Sequence, residues 1–320
     1  MSAESKGSKR KTWIRLGVKL LAIIAVVFLI RSFAFTSCLI PYSGMENSLF
    51  QGERILVNKW SYGLRVPFMS LFSYHRWVAR PVSKQEIVVF NNPAAGTKSA
   101  IDRRAVYISR CIGTPGDTLL IDSCFSVVSP EAEVNPDKKQ LYAYPASKEK
   151  DIELLLRSLS ITNEGVMGRN DSTHVRSFSR YEFYLLEQAT KPNRWISRLQ
   201  EGDTGVPKPL IIPGKGKVLR VYPWNITLLR NTLVLHEGRQ AEIKNDTLYI
   251  DGKPTQHCYF TKDYYWMASN ASFNLSDSRL FGFVPHDHLI GKASLIWFSK
   301  EQKSGPFSGY RWNRFLRKVR

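Results

Sequence analysis

The chain has 320 residues, 43% of them hydrophobic and 23% charged, which excludes wholesale disorder and suffices for one large or two modest domains. Lys and Arg number 46 against 27 Asp and Glu, a formal net charge of +19, so an anionic neighbour is implied, either nucleic acid or an anionic membrane surface. The cysteines, Cys38, Cys111, Cys124 and Cys258, are too few for a disulfide scaffold and show no C-x-x-C spacing, which argues against a structural zinc site.

The chain opens polar and basic over residues 1–15, read as a cytoplasmic tail. Residues 16–35 read LGVKLLAIIAVVFLIRSFAF, and a helix of that length crosses the ~30 Å hydrocarbon core of a bilayer. A transmembrane anchor is expected over residues 16–36, with Lys19 and Arg31 near its ends, where long side chains reach headgroups. A cleaved leader would share the basic start and apolar middle, but Arg31 and Phe35 sit where small cleavage-site residues belong. A lipoprotein site at Cys38 would need a smaller or aliphatic approach than Phe35-Thr36-Ser37. Lys6, Lys9, Arg10, Lys11, Arg15 and Lys19 precede or enter the span against one acid, Glu4, so the positive-inside rule keeps that end cytoplasmic and exports the remainder.

Beyond the anchor the chain reads mainly as β. Residues 55–57, 87–90, 105–112, 118–121, 219–221, 247–250 and 293–298 are short, rich in β-branched or aromatic residues, and punctuated by Gly, Pro, Asn and Asp. Residues 67–80, PFMSLFSYHRWVAR, concentrate Phe68, Phe72, Tyr74 and Trp77, which suits either a surface dipping into the bilayer or ordinary core. Residues 148–162 and 180–200 are more helical in composition. Arg311, Arg314, Arg317, Lys318 and Arg320, with Trp312 and Phe315 between them, form a basic tail suited to a membrane surface or to solvent.

Weaker signals complete the inventory. His286 and His288 form the single H-x-H, expected to be a surface turn rather than a metal site. Sequons at Asn170, Asn225, Asn245, Asn270 and Asn274 matter only in a secretory eukaryotic setting. Cys124 and Cys258 can pair in an oxidising compartment or stay as buried thiols. No metal or cofactor is expected. No nucleic-acid motif accompanies the positive charge, and an anionic bilayer accounts for it more simply.

A family resemblance rests on four segments in order. Residues 40–59, IPYSGMENSLFQGERILVNK, resemble the nucleophile segment of type I signal peptidases, I-P-S-x-S-M-x-P-T-L followed by G-[DE]-x-[IV]-x-V-x-K. Residues 85–93, QEIVVFNNP, resemble that family's G-D-[IV]-V-V-F-x-x-P strand. Residues 107–118, YISRCIGTPGDT, resemble its base-bearing K-R-[VC]-[IV]-G-x-P-G-D segment. Residues 275–292, LSDSRLFGFVPHDHLIGK, resemble its D-S-R-x-[WF]-G-x-V-P-x-x-x-[IVL]-x-G-K segment. The resemblance implies a mainly β fold: a largely antiparallel catalytic core over 37–122 and 251–320, and an inserted β-rich, partly helical domain over 123–250. It also implies removal of signal peptides from exported preproteins by a Ser nucleophile and a Lys general base.

The reacting groups depart from that pattern. Gly44 stands where the nucleophile precedes Met45, and Ser109 stands where the base precedes Arg110. Arg110 is no substitute, because a guanidinium does not deprotonate in proteins. Ser43 is a fallback nucleophile one residue early, and such a shift turns an extended side chain to the other face unless a bulge restores it. Tyr42 falls at the position of the side-chain oxyanion donor. Met267-Ala268-Ser269-Asn270-Ala271 replaces the M-G-D-N-R run, while Asp277, Ser278 and Arg279 are retained and are read, with Met45 and Arg110, as structural. The expected protein is a signal peptidase I-like member of the bacterial inner (cytoplasmic) membrane with its main domain on the periplasmic side. It is impaired or non-catalytic, and binds signal peptides or preproteins or assists an active signal peptidase. The alternative is an active serine endopeptidase using Ser43.

Overall fold

The computed structural model describes residues 3–67, 69–70, 72–94, 99–122, 125–128, 138–163, 165–199, 206–271, 276–302 and 304–319. In chain order its principal elements are α1 (Ala3–Leu29), β1 (Phe35–Leu39), β2 (Glu53–Asn58), β3 (Ile87–Asn91), β4 (Val106–Gly113), β5 (Thr118–Ile121), β6 (Lys139–Pro145), α2 (Glu149–Ser158), β7 (Thr173–Ser179), α3 (Arg180–Ala189), β8 (Lys208–Ile211), α4 (Ile226–His236), β9 (Thr247–Ile250), β10 (Tyr264–Ala268), α5 (Ser278–Phe281) and β11 (Leu289–Ser299).

Arg15–Ala34 has a mean hydropathy of 2.3 with none of it buried, so it is long and apolar enough to cross a membrane. Its last turn, Ile30–Ala34, is π-helical, and the chain passes directly into β1. Phe35 and Thr36, assigned to the anchor by composition, pair instead with Asn58 and Val57. The helix end is tied to the sheet by Lys59 Nζ, which donates to the carbonyls of Arg31 (2.8 Å) and Ser32 (3.0 Å), and by Trp60 Nε1, which donates to Phe33 O at 2.7 Å. Those carbonyls would otherwise lack partners at a helix C-terminus.

The central antiparallel sheet runs β1-β2-β11-β3-β4-β10. All of β3 is buried, because each face of the sheet is covered. Ile87 and Val89 pack with Ile40, Met45, Leu49 and Ile55, while Val88 and Phe90 pack with Tyr62, Tyr265, Met267 and Leu289. A continuous apolar run is what such a strand requires. A third cluster joins β5 and β8 to α4, β9 and β10 through Ile121, Leu210, Leu229, Leu248 and Trp266. A fourth, with Tyr142, Tyr144, Ile152, Phe178 and Leu186, belongs to β6, α2, β7 and α3.

The expected strands all form, and the two helical stretches become α2 and α3. α3 starts at Ser179, which makes a reciprocal capping box with Glu182. α4 was not legible. Its β-branched residues give little helix propensity, and burial of Ile226, Leu229 and Leu233 determines it.

Other sequence readings are corrected. Arg314 of the basic tail is buried and donates from Nε and Nη2 to both oxygens of Glu53, itself without solvent access. His286 and His288 lie in no surface turn: Asp287 and His288 are buried. Among the described residues no group of His, Cys, Asp and Glu is arranged to hold a metal. In the 67–80 segment Phe72, Tyr74 and Trp77 are exposed, so they are surface rather than core, and Phe68 lies outside the described residues. Cys258 is a buried free thiol, while Cys124 and the sequon residue Asn274 lie outside the described residues.

The buried histidines make stability pH-dependent. His236 is pushed down to about 3, first by burial and then by His288. His286 is pushed down to about 4 by burial and then by Arg76, and His288 is lowered by burial against the pull of Asp287. Lys262 and Arg104 add positive charge around them. The unfolded chain binds these protons near its ordinary histidine pKa of about 6.5, while the folded chain resists them. Their contribution is therefore complete above that pH and is lost progressively as pH falls toward the folded values. The unfolding midpoint of the detergent-solubilised chain should be level above about pH 7 and fall below about pH 6.5, and His236→Phe should make the fall shallower.

Candidate active site

The segment between β1 and β2 folds into a compact turn. Glu46 N donates to Ser43 O (2.7 Å) and Leu49 N to Met45 O (2.7 Å), while Met45 and Leu49 insert into the core beneath. The Gly44 carbonyl accepts from Asn270 N (2.9 Å) and Ala271 N (3.0 Å), which brings the segment after β10 against the turn. Asn270, fully buried, donates from Nδ2 to Glu46 O (3.0 Å) and Ser48 Oγ (2.9 Å). Arg110 donates from Nη2 to Ser48 Oγ and from Nη1 to Gln85 O, both at 2.8 Å. Asn270 and Ser48 are positioning residues that sequence reading missed, because their amide and hydroxyl matter only once the segments meet.

Asp277 holds the 269–271 segment in place. It has no solvent access, and its Oδ2 accepts from Ser269 N and Ser269 Oγ, each at 2.7 Å. Arg279 Nη2 donates to Asp277 Oδ2 (2.6 Å), Ala271 O (2.9 Å) and Ser269 Oγ (3.0 Å). Ser278 Oγ accepts from Met267 N at 2.9 Å. Ser269 thus supplies the hydrogen bonds that keep this loop ordered although the family's Gly and Asp are missing.

Gly44 and Ser109 sit within this assembly. A Cβ built on Gly44 meets only Ser269 Cβ, at 3.9 Å, an ordinary contact, so packing does not require glycine there. Ser109, opposite Val88 in the β3–β4 ladder, is fully buried and donates from Oγ to Ser276 O at 3.2 Å. Among the described residues the Gly44 N–H meets no acceptor and Ser43 Oγ meets no partner. Tyr42 is 65% exposed. Cys111, two residues beyond Ser109 on β4, is buried, and burial pushes its thiol up to about 12, so it is no thiolate nucleophile. The amine nearest in the bonding network is Lys139 of β6, buried and ion-paired with Glu46, with its backbone N donating to Asn270 O at 2.7 Å.

The turn around Gly44, Ser109 of β4 and the Asp-Ser-Arg loop thus converge beside an antiparallel sheet that follows one apolar helix. The family model described as signal peptidase, peptidase S26, matches residues 12–158. The chain is 26% identical over 298 residues to signal peptidase I of Buchnera aphidicola subsp. Schizaphis graminum, covering 93% of this chain and 79% of that protein. It is 22% identical over 321 residues to signal peptidase I of Haemophilus influenzae, covering 94% of this chain and 74% of that protein. These matches support membership of the type I signal peptidase family.

Removing one partner of a buried ion pair strands the other, at a cost of about 3–5 kcal/mol. Asp277→Ala should lower stability by about that amount. Gly44→Ser should change it by less than about 1 kcal/mol, because its backbone needs no positive φ. Denaturant unfolding in detergent checks both.

Proposed function

We propose that this chain is a signal peptidase I-like protein that binds signal peptides or preproteins without cutting them, or that assists an active relative in the same membrane. The observation that carries this reading is the replacement of both reacting groups at once: no hydroxyl at Gly44, and a hydroxyl already bonded to Ser276 O in place of an amine at Ser109. Serine hydrolysis of this kind needs a nucleophile and a neutral base together, and losing either member of such a unit costs about as much as losing both.

Peptide binding requires neither of the two reacting groups. The free Gly44 N–H is the kind of donor that stabilises a carbonyl oxygen. Exposed sheet edges take extended peptides by strand addition. On the positive-inside argument the basic N-terminus is cytoplasmic, and the domain built from 37–122 and 251–320, with its insert over 123–250, lies on the exported side of a bacterial inner membrane.

The test compares four detergent-solubilised forms with a radiolabelled preprotein: the natural chain, Ser43→Ala, Gly44→Ser and Gly44→Ser/Ser109→Lys. The Ser109 site is fully buried, and burial lowers a lysine's pKa toward neutrality. The double variant should cut, at least about 10⁴-fold faster than the natural chain, which should bind signal peptide in a fluorescence titration without turnover. Turnover by the natural chain that disappears in Ser43→Ala would overturn this reading in favour of a displaced nucleophile. Silence and absence of binding in all forms would overturn the peptide-binding groove itself.

A further inference from the structure

At the membrane exit a cavity of about 530 Å³ is lined by Phe28, Arg31 and Ser32 of the anchor and by Thr36, Lys59 and Arg65 of the sheet side. Phe28 and Arg31 belong to the stretch able to cross a membrane, which ends at Ala34, so the cavity sits where that helix leaves hydrocarbon for headgroups. Exposed Trp60, whose indole is tied to Phe33 O, marks the same level.

The lining carries more positive than negative charge. Among the described residues Arg31, Lys59 and Arg65 make no ion pair. Lys59 spends two N–H donors on backbone carbonyls, leaving one of its three. Arg65 Nη1 bonds Asn91 Oδ1 (3.0 Å) and Asp287 O (3.3 Å), leaving its Nη2. The Arg31 guanidinium bonds nothing described. Lys59 is held below its ordinary range, first by burial and then by the repulsion of Arg65. One acid, Asp102, lines the same cavity, and its Oδ1 is buried without a partner among the described residues. Three guanidinium or ammonium groups against one carboxylate leave an anion hole beside a single acceptor.

We propose that this cavity binds the phosphodiester of an anionic phospholipid, with phosphate against Arg31, Lys59 and Arg65 and acyl chains along Phe28. A phosphate supplies the missing negative charge and several acceptors for the remaining N–H donors. The site rests on the membrane-crossing helix and not on whether the groove cleaves.

The full chain in neutral detergent is titrated with phosphatidylglycerol, and retained lipid is read by native mass spectrometry. One retained lipid is expected. Arg31→Gln and Arg65→Gln should each weaken it at least tenfold, and Arg31→Lys should keep most of it. Arg317→Gln removes an exposed charge that does not line the cavity and should change nothing. Thermal unfolding in lipid-free detergent should be the same for Arg31→Gln as for the natural chain. Equal retention by the natural chain and Arg31→Gln overturns the site. Equal retention of phosphatidylcholine overturns its preference for anionic lipid. Displacement of the lipid by sn-glycerol 1-phosphate at matching concentration overturns the lipid assignment in favour of a free phosphate ester.

Discussion

The charge of Asp277 is the constraint around which the site is built. A carboxylate without solvent access is costly unless its oxygens are filled, and Ser269 and Arg279 fill them. Filling them fixes the 269–271 segment, and that segment presents Asn270 N and Ala271 N to the Gly44 carbonyl. The shape of the nucleophile turn thus depends on a carboxylate more than two hundred residues away in sequence. The Asp-Ser-Arg run therefore has a mechanical role that persists whether or not a nucleophile stands at residue 44.

Scaffold and chemistry respond to different pressures. A buried neutral lysine must be desolvated, and an enzyme bears that cost for the sake of catalysis. Ser109 removes the cost, because its hydroxyl is satisfied by Ser276 O. Gly44 removes a side chain without leaving a clash or demanding unusual backbone angles. Both replacements are structurally mild, so the fold has no reason to drift after them.

Other buried charges tie distant segments to the same turn. Lys139 brings β6 to Glu46, and Arg314 brings the C-terminal segment to Glu53 at the start of β2. Apolar residues of similar volume would pack at least as stably, so these pairs are better understood as fixing which segments meet. At the other end of the sheet Lys59 and Trp60 hold the end of the anchor, so the sheet and the membrane helix share a defined junction.

Length, charge and hydropathy were sufficient to locate the apolar helix, and short β-branched runs located most of the sheet, because both patterns are local. The identities of Gly44 and Ser109 carry the main functional question by themselves, since the chemistry depends on which groups are there at all. The tertiary structure decided what local pattern cannot encode. It turned a β-branched stretch into α4 because its apolar face had a core to enter. It buried Asp287, His288 and Arg314, residues that look like surface by composition, because partners distant in sequence compensate their polarity. It also gathered Arg31, Lys59 and Arg65 around one cavity, since like charges scattered along a chain become a site only when the fold brings them within reach of the same anion.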